Sequence, residues 1–120
     1  MSLKISSVQN QGNASDEYVV FKASADINVN QYMVEDNTFS GGKFSNVHRH
    51  PFRFPSKTVK KDEYVVLYTR KGTNGEGKMD NGAKFYSFYW GSDAAIWNNE
   101  GDKVVLLKVD TAETFAVGKP

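Results

Sequence analysis

Apolar residues return at every second position along most of this chain, and that period decides the fold class. "EYVVFKAS" (Glu17–Ser24), "EYVVLYTR" (Glu63–Arg70), "AKFYSFYW" (Ala83–Trp90) and "KVVLLKVD" (Lys103–Asp110) read as strands rich in β-branched and aromatic residues. "INVNQYMVED" (Ile27–Asp36) reads as a strand with a bulge near Asn30–Gln31. "HPFRFPSKTV" (His50–Val59) carries Pro51 and Pro55, which confine it to an edge or to irregular structure because proline cannot donate to a ladder. "ETFAV" (Glu113–Val117) closes the series. Glycine, asparagine, aspartate and serine cluster between these runs, and no window sustains a helical stripe over three turns. The pattern predicts an all-β sandwich or barrel of about seven to nine strands.

A length of 120 residues suits one domain with one core. The opening "MSL" reads as an initiator or flexible lead-in over residues 1–4, with the domain entering near Lys4. A net charge of +1 means that any electrostatic partner must be met by a local patch. The lack of cysteine removes disulfides, thiolate nucleophiles and cysteine zinc sites together. No apolar run approaches the roughly 18 residues that would span a bilayer, and no basic-then-apolar leader is visible. The chain is also compatible with being one domain of a longer protein.

The segment "IWNNEGDKVVLL" raises the question of chemistry most directly. Glu100 and Asp102 form a candidate carboxylate pair, with Asn98 and Asn99 as candidate orienting or calcium-binding groups. A calcium loop wants more acids, and acid–base work wants a nucleophile or histidine close by. A structural corner needs less. Asn98, Asn99 and Gly101 tolerate left-handed backbone, Asp102 accepts loop amides, and Trp97 plugs the end of a sandwich before "VVLL" enters the core. The expectation is a corner with no catalytic residue, no metal and no cofactor.

The same residues carry a resemblance. "IWNNEGDKVVLL" resembles the W-x-N-x-G-D-x-V-x-L signature of the lamin-tail domain, an immunoglobulin-like β-sandwich. "DEYVVFKAS", "QYMVED", "FRFPSKTVKKDEYVVLYT" and "KVDTAE" fall in that family's order from about Ile5 to Val117. Three positions depart from it: Gln31-Tyr32 stands where the family has Gly-Trp, no glycine occurs near Asp62, and Ala112–Glu113 replaces the closing glycine. The resemblance implies a non-enzymatic module that engages proteins, DNA or cell-surface components. Bacterial members accompany secreted or membrane-associated proteins, which favours an extracytoplasmic or surface setting.

Two candidate surfaces stand out. Between Lys43 and Lys61 there is no acid, while Lys43, Arg49, Arg53, Lys57, Lys60 and Lys61 accumulate beside His48 and His50. Such a strip suits phosphate contact and makes nucleic acid an alternative partner; its plainer reading is a charged edge with Phe52 and Phe54 turned inward. His48 and His50 supply two imidazoles, too few for a metal site without a carboxylate such as Asp36 or Asp62. The second surface is the aromatic strand, where Tyr86, Phe88 and Trp90 are the candidates for contact with a sugar or a protein partner. "KGTNGEGKMDNG" lacks the order of a phosphate loop and is expected to be a long mobile hairpin.

Overall fold

A computed structural model describes residues 1–40, 43–44, 49–97 and 102–118, and their side chains except at 37–40, 43–44, 49–50 and 102. The strands in chain order are β1 (Leu3–Gln9), β2 (Tyr18–Ala23), β3 (Ile27–Asn28), β4 (Tyr32–Ser40), β5 (Lys43–Phe44), β6 (Arg49–Arg53), β7 (Thr58–Val59), β8 (Tyr64–Tyr68), β9 (Gly75–Lys78), β10 (Lys84–Tyr89) and β11 (Asp102–Lys108). One sheet has the order β1-β2-β8-β10-β9; it is antiparallel except for the parallel β8–β10 pair. In the other, β4 lies between β11 and β6 and also pairs with β5, while β3 and β7 form a separate short ladder. The result is the expected immunoglobulin-like sandwich.

Alternation explains the core. Val19, Phe21 and Ala23 of β2 and Val65 and Leu67 of β8 face inward against Val34 of β4 and Leu106 of β11. Phe54 sits between the layers, edge-on to both Phe21 and Phe88. Each large apolar side chain buried this way contributes about 1.5–3 kcal/mol relative to exposure.

Four segments differ from the sequence expectation. The bulge at Asn30–Gln31 is instead a 3-10 turn over Val29–Gln31. The Asn28 side chain caps it, accepting from the Asn30 and Lys57 amides while donating to Ser56 Oγ. Leu3 and Lys4 of the expected lead-in belong to β1, with Leu3 fully buried against the core. A register shift between Ile5 and Ser7 reverses the inward positions there, which hides the strand from a simple alternation test. The glycine-rich loop contains β9, paired antiparallel to β10. Glu113–Val117 is not a strand: Phe115 and Val117 are over nine-tenths exposed, and among the described residues no strand pairs with or covers this segment.

The proline-bearing segment behaves as expected of an edge. Within β6, Pro51 sits where the pairing to β4 shifts register between Val34 and Asp36, so its missing N–H breaks no regular ladder. At Asp62, where the resembled family has a glycine nearby, the backbone has φ +70°. Aspartate tolerates this left-handed conformation better than most side chains do.

Candidate binding face

Glu17 immediately precedes β2 and is fully buried. One carboxylate oxygen accepts the Gly12 amide at 3.1 Å. The other accepts the Thr69 hydroxyl and the amides of Ile96 (2.9 Å) and Trp97 (3.3 Å). A single side chain thus joins the β1–β2 turn, the end of β8 and the segment leading to β11. Its acceptor sites are occupied by the protein's own donors, so it is a fastening point rather than a base. The clue in the sequence was an acid heading an apolar strand, "DEYVVF", which reads equally well as a solvated strand end.

Trp97 is buried and meets Trp90 edge-on at 5.8 Å, while Ile96 beside it is also buried. The tryptophan therefore closes one end of the sandwich. Asn98, Asn99, Glu100 and Gly101 lie outside the described residues, and of Asp102 only its backbone place at the start of β11 is described.

The aromatic strand divides by parity. Tyr86 and Phe88 are buried inward, and Trp90, half-buried just beyond the strand, packs on Phe52 and Trp97. As contact residues Tyr86 and Phe88 are therefore corrected; on the opposite face of β10 stand Phe85 and Tyr89, both half-buried, and Ser87, which is itself buried. The Tyr86 hydroxyl donates to Glu63 at 3.1 Å. Burial pushes its phenol pKa up, and the bond to Glu63 pushes the same way.

Register then builds the outer face. Tyr18, Tyr68 and Tyr89 are cross-strand partners on β2, β8 and β10 and form one row. Tyr68 stacks on Tyr89 at 5.1 Å and an angle of 16°, and Tyr18 lies 5.4 Å from Tyr68. The Arg70 guanidinium sits 5.1 Å from the Tyr68 ring and 5.2 Å from Tyr89. Burial, then the neighbouring phenols Tyr89 and Tyr18, raise the Tyr68 pKa against the opposing pull of Arg70.

Four residues further along the strands, Tyr64 and Phe85 form a second row. Val20 and Val66 make the floor between the rows, with Ser6, Ser7, Gln9 and Lys78–Asp80 at the rim of a groove of about 500 Å³. Two glycines admit the rings. A Cβ on Gly72 would lie 2.3 Å from the Tyr89 ring, and one on Gly77, the cross-strand partner of Phe85, would lie 2.8 Å from that ring.

The family model described as Lamin Tail Domain matches residues 1–119. The chain belongs to the lamin tail domain family. No curated protein and no solved structure matches it. The family is a non-enzymatic, immunoglobulin-like interaction domain.

In this lamin tail domain the basic strip is only partly described. Arg53, Lys57, Lys60 and Lys61 are exposed. Lys43 and Arg49 are placed by backbone in β5 and β6, and the side chains of Lys43, Arg49 and His50, like the whole of His48, lie outside the described residues. Acids from elsewhere enter the strip. Lys60 N donates to Glu63, Lys61 N donates to Asp26, and Asp62 directly follows Lys61 in the chain. Arg53 Nε is engaged by the Asn30 carbonyl, and the Lys57 ammonium lies 5.0 Å from the Tyr86 ring. Phe54 is buried and Phe52 half-buried, so these rings serve the core, in line with the plainer reading of the strip.

A catalytic arrangement would require Asp36, Asp102 and the histidines to converge. Asp36 is buried within β4, with Val104 as its partner on β11, and Asp102 pairs two positions further along with Thr38. Among the described residues no group of three or more metal-ligating side chains forms. Nor, among them, is any helix long and apolar enough to cross a membrane.

Proposed function

We propose that this lamin tail domain is a binding and anchoring module that holds a protein or cell-surface component on the outer face of its five-stranded sheet. The observation that carries the reading is the register-aligned row Tyr18–Tyr68–Tyr89 with Arg70 laid over it. Tyrosine and arginine are the residue types that dominate contact energy, and rings held in place by stacking lose little freedom on binding. Glu17, which ties three loops together, is buried away from this face, and the rings of the face hold one another by stacking.

The test is co-sedimentation of the purified full chain with washed bacterial cell envelopes. Wild type is expected in the pellet, with Tyr18→Ser/Tyr68→Ser remaining soluble and Arg53→Glu/Lys60→Glu behaving as wild type. The opposite pattern, with charge reversal abolishing retention and salt weakening it steeply, would transfer the role to the basic strip and favour an anionic partner such as nucleic acid.

A further inference from the structure

We propose that the groove between the two aromatic rows of the five-stranded sheet binds a neutral oligosaccharide. This deepens the reading of the outer face as the binding face and rests on it.

The position of the groove limits its ligand. Its floor lies on β2 and β8, and each of these strands is paired on both sides. Their backbone donors and acceptors are already used in ladders, so a peptide cannot be captured there by strand addition. Recognition falls to side chains alone.

Charge narrows the choice again. Of the residues lining the groove itself, Lys78 and Asp80 are charged, one of each sign, while beside it the Arg70 guanidinium lies over the Tyr68 and Tyr89 rings and the Lys22 ammonium over Tyr64. The lining itself therefore carries no net charge toward an anionic chain, in contrast to the lysine-bearing strip elsewhere on the molecule. What remains is a lining of aromatic bodies tipped with phenol hydroxyls (Tyr18, Tyr64, Tyr68) and rimmed by Ser6, Ser7 and Gln9. These tips both donate and accept hydrogen bonds. A sugar ring pairs apolar C–H faces with hydroxyls at its edge, which is the complementary pattern.

Size and rigidity agree. About 500 Å³ lies in the usual small-ligand range of ~300–1,000 Å³. Tyr64 and Tyr68, four residues apart on β8, stand roughly 13 Å apart along the strand, leaving a slot wide enough for a ring rather than a single methyl-bearing side chain. One wall is held before binding by the Tyr68–Tyr89 stack and Arg70.

The experiment is calorimetric titration of the full chain with soluble oligomers of glucose, N-acetylglucosamine and mannose, with heparin as the anionic comparison. The expected result is binding of at least one neutral oligomer with little dependence on salt, and none of heparin. Affinity should drop about tenfold or more in Tyr64→Ala and in Gln9→Ala, the second an exposed position whose change spares the fold. Circular dichroism checks that both variants fold. No binding of any neutral oligomer, binding of heparin alone, or binding unchanged in both folded variants would overturn the proposal. If envelopes still retain the wild type while the Tyr18→Ser/Tyr68→Ser variant is lost from the pellet, only the sugar assignment falls; loss of that pattern as well would remove the binding-face reading beneath it.

Discussion

The Glu17 carboxylate accepts the hydroxyl of Thr69, 52 residues away in sequence, in a fully buried setting. The same carboxylate gathers the amides of Gly12, Ile96 and Trp97, so one acid fixes three loops at one end of the sandwich. Removing it strands several buried donors. Glu17→Ala is expected to cost about 3–5 kcal/mol, and Glu17→Gln about 1–3, because its amide nitrogen must face an N–H where a carboxylate oxygen stood. Urea denaturation with an unchanged slope checks both values.

Trp97 fills the end of the core against Trp90. Trp97→Ala should destabilise by roughly 3–5 kcal/mol. A loss within about 0.5 kcal/mol, the range of ordinary surface substitutions, would contradict its burial.

Asp62 holds a positive φ at the turn before β8. Asp62→Gly is therefore expected to stabilise the fold by about 0.5–1 kcal/mol, the relief of left-handed strain exceeding the added freedom of the unfolded chain. Thermal unfolding of the two proteins side by side measures the sign.

Gly77 lies under the Phe85 ring, and Gly72 under Tyr89. Alanine at either position must displace an aromatic ring, at a cost of about 1–3 kcal/mol. Gly72→Ala should also shift the Tyr89 ring resonances in NMR spectra, since that ring is stacked on Tyr68.

Tyr68 and Tyr86 both hold their protons more tightly in the folded state, chiefly through burial. A raised folded pKa gives stability that is present in full below the ordinary phenol value of about 10 and is lost as pH rises through the folded value. Phenolate absorbance should therefore show two tyrosines titrating late. Tyr68→Phe should reduce the alkaline loss of stability.

Much of this was legible in the sequence because alternation records which side of a sheet faces inward. It marked β2, β8, β10 and β11, and the order of motifs identified the family. The same signal misled where a second force intervened. In β1 the irregularity near Ser6 reverses the parity, and Gly72 and, in β9, Gly77 make room for rings where glycine reads as loop punctuation. Glu113–Val117 has the alternation of a strand but, among the described residues, no neighbour to pair with. Nothing in the sequence marks Tyr86 and Phe88 apart from Phe85 and Tyr89 of the same strand, because which parity faces out depends on strand order. The outer row exists only because β8 pairs parallel with β10, bringing Tyr68 beside Tyr89, and the sequence carries no mark of that pairing.

Hydroxyl-radical footprinting of the full chain, with and without washed envelope material, tests the central claim most directly. The account predicts protection concentrated at Tyr18, Tyr64 and Tyr68, with Arg53, Lys57, Lys60 and Lys61 unchanged. Protection along Arg53–Lys61 with the tyrosines still fully reactive would contradict it.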